Sequence, residues 1–150
     1  MLQEKIKETV LNYNTGLAGA LFHYAYGKDH WQNLADHPKD DNKPFVERNK
    51  YFKLLWVDDD PTHNSYSAIE RIKFDGELLI LASSKFTDPT YEYKYENHIK
   101  NLKQLAYEFH DKLLDCNDWS ISYWKIIEVE NLYDNNLDGI MIKFSMSINV

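Results

Sequence analysis

The sequence predicts an α+β fold in which an antiparallel sheet of about four strands has its helices packed on one face. Apolar residues recur at helical spacing in two segments, one at the N-terminus and one in the second half of the chain. Elsewhere, runs of β-branched and aromatic residues alternate with polar ones, as strands do. The chain has 150 residues, so we expect a single α+β domain spanning 1–150.

The first element is predicted to be an amphipathic helix. Four residues share one helical face: Leu2, Ile6, Val10 and Tyr13. Glu4, Lys5, Lys7 and Glu8 lie at other positions, and the sequence NTG at 14–16 supplies a helix stop. The segment ALFHYAYG at 20–27 then places Phe22, Tyr24 and Tyr26 on one side and predicts a strand that ends at Gly27.

A polar loop and two or three strands are expected next. Residues 28–50 are rich in charged and amide side chains, the composition of an exposed loop. YFKLLWV at 51–57 predicts a strand that ends at DDDPTHN, and another strand is expected from about Tyr66. The dipeptide DG at 75–76 allows either a two-residue hairpin or a bulge within one long strand.

The second half predicts a long helix with one apolar stripe. Asp88 before Pro89 is a helix cap with proline at the first helical position. The stripe steps by four and three residues: Tyr95, Ile99, Leu102, Ala106, Phe109 and Leu113. His98 and His110 lie off this stripe, so we expect them to face solvent or an interface.

Two strands are predicted to complete the sheet, at 119–131 and from Gly139 onward, separated by a loop at 132–139. Five residues of the last strand face one way: Ile140, Ile142, Phe144, Met146 and Ile148. The residues between them, from Met141 to Asn149, are mostly polar. One side of this strand is therefore expected to face the core and the other to face water.

Charge and composition narrow the classes of partner. The chain has 24 acidic and 17 basic residues and a formal net charge of −7, which repels phosphate backbones, so no specific nucleic acid binding is expected. No stretch reaches the roughly 18 apolar residues of a membrane span, and the N-terminus is charged where a signal peptide is apolar. The single cysteine, Cys116, allows no intramolecular disulfide. We therefore expect a soluble, unexported protein with no membrane partner.

The sequence contains no recognised catalytic motif. The patterns GxGxxG, GxxxxGK[ST] and GxSxG are absent, so neither a glycine-lined phosphate site nor a nucleophile elbow is predicted. His23, His30 and His37 recur every seven residues, but the strand predicted at His23 argues against one helix through all three. VDDDP at 57–61 lacks the glycine and closing glutamate of a calcium loop. We predict no catalytic residue, no cofactor and no metal.

Aromatic residues suggest contact with other proteins. Eleven tyrosines and four tryptophans exceed what a core of this size readily absorbs, and such side chains are enriched at interfaces. The alternative, that they line the seam between sheet and helices, accounts for about half of them. The interface candidates are aromatic or lie in predicted loops: Tyr24, Tyr26, Trp31, Asp58, Asp59, Asp60, Tyr91, Tyr93, Tyr133 and Leu137.

The order of segments resembles the small tail-completion or tail-terminator proteins of tailed bacteriophages, including those of phages that infect Bacteroidetes. The segments that carry the resemblance are the amphipathic start, ALFHYAYGKDHWQN, KPFVERNKYFKLLWVDDDP, SYSAIERIKF, FTDPTYEYKYENHIKNLKQLAYEFHDKL and NLYDNNLDGIMIKFSMSI. In that family a loop with an NLDG-like turn commonly leads into the last strand. The resemblance covers most of the chain.

The resemblance implies a virion structural protein that forms a ring. Copies of such proteins lie side by side around the tail axis, often six of them, at the tail end or the neck. The implied partners are other copies of the chain, the tail tube and the neck or connector proteins, and the implied location is the virion, assembled in the host cytoplasm. The loops at 28–50, 58–65 and 132–139 are the expected contact segments.

Two other functions fit the residues. One is a cytoplasmic α+β binding or adaptor module with no virion role, which a monomeric state would favour. The other is an enzyme with dispersed carboxylates or histidines, which would require a deep pocket with perturbed titrating groups.

Overall fold

The order of helices and strands along the chain agrees with the prediction from sequence. A computed structural model describes residues 2–15, 20–27, 43–83, 92, 95–114, 118–132 and 137–150, with only the main chain described at 130–132, 137 and 138. Its helices and strands are α1 (Leu2–Asn12), β1 (Phe22–Tyr26), β2 (Lys50–His63), β3 (Ile69–Ser83), α2 (Lys100–Leu113), β4 (Trp119–Leu132) and β5 (Leu137–Asn149). A 3₁₀ turn at Phe45–Glu47 precedes β2, and a π-helical turn at Tyr95–Ile99 leads into α2.

Within the described ranges the strands form one five-stranded sheet in the order β1-β2-β3-β5-β4. The α+β class and the two helices agree with the prediction, but the sheet has five strands and is mixed. β1 pairs with β2 in parallel, Phe22 opposite Lys50, and the other pairs are antiparallel. The residues between β1 and β2 are numerous enough for the return connection that a parallel pair requires.

The acidic stretch at 58–60 belongs to a strand. β2 continues through it to His63, and Asp58, Asp59 and Asp60 pair with residues 75, 74 and 73 of β3. The prediction that this stretch ends the strand and forms a turn was therefore wrong. The turn comes later, where the Asn64 side-chain oxygen accepts hydrogen bonds from the Tyr66 and Ala68 main-chain N–H groups at 2.9 and 3.1 Å.

Gly76 lies inside the uninterrupted strand β3, which settles the choice between a hairpin and one long strand. A β-carbon at this position would lie 2.6 Å from the Trp56 carbonyl oxygen and 2.7 Å from Phe144 Cζ. The irregularity lies in the neighbouring strand, where the register shifts between Leu54 and Trp56. Gly76 therefore allows the neighbouring strand and the Phe144 ring to pack closely, and it does not form a turn.

The main core lies between the helices and one face of the sheet. Helix α1 contributes Leu2, Ile6 and Val10 to this core, as the helical spacing predicts. The predicted α2 stripe is also confirmed: Ile99, Leu102, Ala106, Phe109 and Leu113 are buried, and Tyr95 packs against them. The sheet contributes alternate residues from its strands: Phe22, Phe52, Leu54, Phe74, Leu78, Ile80, Ala82, Ile140, Ile142, Phe144 and Met146. The predicted helix cap at Asp88 lies outside the described residues.

The opposite face of the sheet, here called the far face, is less polar than the sequence suggests. Tyr51, Leu79 and Leu81 form a second buried apolar cluster with Met141 packed against it. Ser145 and Ser147 are also buried on this face. The prediction that this side of β5 faces water was therefore wrong at these positions, because alternation within one strand does not show what its neighbours place beside it.

Candidate functional site

The structure describes five of the ten predicted interface side chains. Trp31, Tyr91, Tyr93 and Tyr133 lie outside the described residues, and Leu137 is described only in its main chain, as the first residue of β5. The predicted loop at 132–139 is accordingly shorter than expected. Leu132 pairs with Leu137, and Gly139 lies within the strand.

Tyr24 and Tyr26 lie on β1 beside α1. Tyr24 is half-buried, and its hydroxyl donates to the Gln3 carbonyl oxygen at 3.5 Å. Burial, with smaller contributions from Tyr26 and Glu4, raises the pKa of Tyr24 to about 12. Tyr26 is 43% exposed. Tyr26 is therefore the more accessible of the two for a partner.

Asp58, Asp59 and Asp60 line a free stretch of the β2 edge. β1 pairs only with residues 50–54 of β2, so the β2 main chain beyond Leu54 has no described neighbour on that side. Charged side chains and a proline, here Pro61, are what proteins commonly place on a strand edge to prevent unwanted pairing. This structural role accounts for the three aspartates, so no bound ligand is needed to explain them.

The aspartates and the β1 tyrosines do not form one site. Tyr24 lies opposite Phe52, and Asp58 lies six residues further along the same strand. At about 3.3 Å per residue this separates the two groups by roughly 20 Å. A partner that contacts both must cover a broad surface.

A buried basic network joins the segment before β2 to the helical layer. Arg48 Nη1 lies 2.5 Å from His98 Nδ1 and donates to the Ser83 carbonyl oxygen at 3.3 Å, while Nε donates to the Lys43 carbonyl oxygen at 2.7 Å. Because a guanidinium only donates, Nδ1 of His98 accepts. The network connects three parts of the chain that are distant in sequence.

His98 is only 4% exposed, so the prediction that it faces solvent or an interface was wrong. It lies in the π-helical turn at 95–99. Ile99, the next residue of this turn, is buried as well. His110 is half-buried with its ring edge-on to Trp124, at a centroid distance of 5.2 Å.

A pocket of about 400 Å³ opens beside this network, between the 3₁₀ turn, the first residues of β1 and β2, and α2. Its apolar walls come from Phe22, Pro44, Phe45, Val46 and Leu105. Its polar lining is Lys50, Asn101, Gln104 and Glu108. Lys50 is buried, its ammonium group lies 4.3 Å from the Phe45 ring centroid, and it donates to the Arg48 carbonyl oxygen at 2.7 Å. The pocket suits an apolar side chain of a partner, with hydrogen-bonding groups at its rim.

The far face divides into an apolar end and a polar end. At the apolar end, Lys53 is fully buried beside Tyr51, whose ring stacks on His23 at a centroid distance of 5.2 Å. At the polar end, Arg71 Nη2 donates to Ser147 Oγ at 2.6 Å, and Ser120 Oγ lies 2.9 Å from the same atom. The apolar end is buried, whereas the polar end carries the exposed side chain of Arg71.

Some of these features escaped the sequence analysis. The one signal for Lys53 is that a lysine interrupts the apolar run YFKLLWV. Alternation along that run would have placed Lys53 with Tyr51 and opposite the main core. Arg48 carries no such signal, because its partners come from distant segments.

Over the ranges that the structure covers, no group of three or more His, Cys, Asp or Glu side chains is placed to hold a metal ion. A membrane-crossing helix is likewise not found among those residues. No protein-family model matches the chain, and the search of curated proteins finds no significant match.

Proposed function

We propose that this chain is a structural subunit of a tailed-phage virion that assembles as a ring at the tail end or the neck, as a tail-terminator or tail-completion protein. The order of segments along the chain carries the proposal, because it resembles that of this family over most of its length. On this proposal the chain acts by contact rather than by catalysis, on further copies of itself, the tail tube and the neck proteins.

The surfaces of the subunit are compatible with this role. A ring subunit needs two different surfaces for its neighbours and a third for the end of the tube. The polar end of the far face offers the exposed side chain of Arg71, and the β1 side offers the exposed ring of Tyr26. These are separate surfaces on one small domain.

The proposal is tested by the mass of the purified protein and the shape of its particles. Light scattering over a wide range of concentration is expected to give a closed species, with six copies as the leading case, and electron microscopy should show rings. Particles that grow without limit, or that lack a central opening, would contradict the proposal.

A surface variant sharpens this test. Tyr26→Ser is expected to shift the assembly toward monomer, because Tyr26 is exposed on the β1 side where a neighbour is expected. Tyr66→Ser is the matched control, since Tyr66 is 90% exposed in the β2–β3 turn and is not an interface candidate. Equal effects of the two substitutions would show that β1 is not part of the interface between copies.

The second candidate function is a monomeric adaptor module, and the pocket beside Lys50 favours it. Exposed apolar atoms of Val46 and Pro44 line its rim, next to buried Phe22 and Leu105. Such a pocket suits one anchoring side chain of a peptide. A strictly monomeric protein that loses binding of its partner on Val46→Asp would support this function over the ring.

A further inference from the structure

Among the described residues, the outer edge of β4 has no neighbouring strand. β4 is the last strand of the sheet and pairs, within the described ranges, only with β5. It has 14 residues, whereas β1 at the other edge has five. A long strand edge rich in β-branched and aromatic residues is a template for pairing with another strand.

The edge of β1 is partly closed by a side chain. Asn14 Oδ1 accepts from the Phe22 main-chain N–H at 2.7 Å, and Asn14 Nδ2 donates to the Phe22 carbonyl oxygen at 3.0 Å. The amide thus takes the place of a neighbouring strand at the start of β1. The edge of β4 is therefore the longer and more accessible of the two for strand pairing.

The hydrogen-bond pattern identifies the outward-facing groups of β4. The Asn149 N–H donates toward β4, to the Asp118 carbonyl oxygen, and the Val150 N–H donates toward β3, to the Glu70 carbonyl oxygen. Odd-numbered residues of β5 therefore bond to β4 and even-numbered ones to β3. In the register that pairs Lys125 with Lys143, the main chains of Trp124, Ile126 and Glu128 point outward.

We propose that the β4 edge binds the β4 edge of a second copy, antiparallel and about a two-fold axis, so that two sheets join into one. The proposed register places Ile127 opposite the partner's Ile127. Outward-facing Ile126 and Glu128 then exchange main-chain hydrogen bonds with the partner's Glu128 and Ile126.

Apolar side chains favour this register. Ile127 lies beside Met141, and Met141 lies beside Leu79, in one row across the far face. Centring the axis on Ile127 joins this row to the partner's row, and it extends the apolar cluster at Leu79 and Met141 across the interface.

Charge disfavours the neighbouring registers. Lys125 lies directly opposite Lys143 in the sheet. If the axis were centred on Lys125, the two copies of this lysine would lie directly opposite each other. If it were centred on Ile126, the two Lys125 side chains would be diagonal neighbours across the interface, next to both Lys143 side chains. In the Ile127 register, the two Lys125 side chains are offset from each other by four residues along the strands. It leaves Glu128 with its ion pair to Lys103, at 3.3 Å.

Irregular positions bound the paired segment on both sides. The β4–β5 register shifts between Ile121 and Tyr123 and again between Val129 and Leu132. Bulges interrupt the straight edge that pairing requires. Regular strand is thus available from Tyr123 to Val129, and its central residue, Ile126, lies one position from the proposed axis.

This proposal does not rest on the proposed function. A ring whose copies all point the same way along a tail uses head-to-tail contacts, whereas a two-fold β4 contact joins identical edges. The two-fold β4 contact is therefore distinct from the contacts between neighbours in the ring.

The first test removes the outward N–H of Glu128. Glu128→Pro is expected to raise the dimer dissociation constant about tenfold or more, because symmetry doubles the loss of one hydrogen bond. Glu128→Ala, which keeps the N–H, is the matched control and should leave a dimer. Circular dichroism shows that both variants fold, and sedimentation velocity measures the mass.

The second test is disulfide trapping and does not depend on a proline. With Cys116 replaced by serine, Ile127→Cys is expected to cross-link two chains on mild oxidation, since directly opposed residues of a non-hydrogen-bonded pair have Cα atoms about 4.5 Å apart. Tyr123→Cys, on the same strand, is the control, because its two copies would lie roughly 27 Å apart.

Each other outcome overturns the proposal. A monomer at every concentration excludes the contact, and cross-linking through Ile126→Cys but not Ile127→Cys excludes the register. A closed six-copy assembly that Glu128→Pro leaves intact excludes the β4 edge while supporting the ring, so failure of the two proposals can be told apart.

Discussion

The side-chain amide of Asn14 substitutes for a strand at the β1 edge. Both of its polar atoms bond to the main chain of Phe22, at 2.7 and 3.0 Å, and this joins the end of α1 to the start of β1. Tyr13 lies beside it and stacks on the Phe22 ring at a centroid distance of 4.7 Å. Two consecutive residues after the helix therefore fix the position of the first strand.

Asn14→Ala is expected to lower the free energy of unfolding by about 1–3 kcal/mol, because two partly buried main-chain groups of Phe22 lose their partner. Asn14→Asp should cost less, since a carboxylate still accepts from the Phe22 N–H but cannot donate to its carbonyl. Urea unfolding of the three proteins measures both values. Equal stability of wild type and Asn14→Ala would show that this amide does not hold the edge.

Gly139→Ala is expected to destabilise the protein by at least about 2 kcal/mol, the range for forced overpacking. A β-carbon at this position would lie 2.0 Å from the Ile80 carbonyl oxygen, a main-chain atom that cannot move aside cheaply. Thermal unfolding followed by circular dichroism provides the measurement. Asn149→Ala, at an exposed position of the same strand, is the control and should change little.

Residue types predicted the apolar faces well and the buried polar groups poorly. The stripe from Ile99 to Leu113 was visible because helical spacing is a local property. His98 was misassigned because it is buried against Arg48, a partner 50 residues away that helical spacing does not show. Lys53 and Arg48 are buried through contacts with distant segments, and one sequence does not reveal such contacts.

At the scale of elements, the packing of α1 on β1 makes the folded protein less stable at alkaline pH. Burial raises the pKa of Tyr24 to about 12, and burial together with Glu108 also raises the pKa of Tyr13. In the unfolded chain both hydroxyls titrate near about pH 10. The unfolded state thus loses protons that the folded state keeps, so stability falls as the pH rises above about 10.

We expect the free energy of unfolding to decrease between about pH 10 and 12 more steeply in wild type than in Tyr24→Phe, which removes one raised pKa. Tyr66→Phe, at a 90% exposed position, should follow wild type and serves as control. Urea titrations at a series of pH values provide the comparison. Parallel curves for wild type and Tyr24→Phe would show that this hydroxyl does not contribute.

The alternating main-chain directions of β4 are expected to appear in amide hydrogen exchange. In the monomer, Lys125 and Ile127 bond to β5 and should exchange slowly, whereas Ile126 and Glu128 point outward and should exchange fast. Nuclear magnetic resonance at low protein concentration measures each amide. A smooth profile along the strand, with no alternation, would contradict the register derived for this edge.

For the whole molecule, net charge is expected to govern association. Each copy carries a formal charge of −7, so any assembly of identical copies works against repulsion. Raising the salt concentration from about 0.05 to about 0.5 M shortens the screening length and should shift copies toward the associated state. Sedimentation velocity at the two concentrations measures the shift. Dissociation at high salt would show instead that ion pairs between copies dominate the contact.

The fold class was predictable because both periodicities are strong over whole segments. The parallel pairing of β1 with β2 was not, because alternation shows that a strand exists but not which neighbour it takes or in which direction. The extension of β2 through Asp58–Asp60 was missed for a related reason. A strand edge without a neighbour tolerates charge and proline, which read as a loop in the sequence.

The pairing of β3 with β5 has a consequence for how the chain folds. Ser145 of β5 donates to Asp75 of β3 across 70 residues of sequence, whereas Ser120 and Ser147 of β4 and β5 are 27 apart. Closing the longer loop costs more chain entropy, so the two hairpins, β2 with β3 and β4 with β5, should form before they join. Until then β3 and β5 each expose an unpaired edge to other chains. Refolding yield should therefore fall as protein concentration rises, even though the finished sheet buries both strands at its centre.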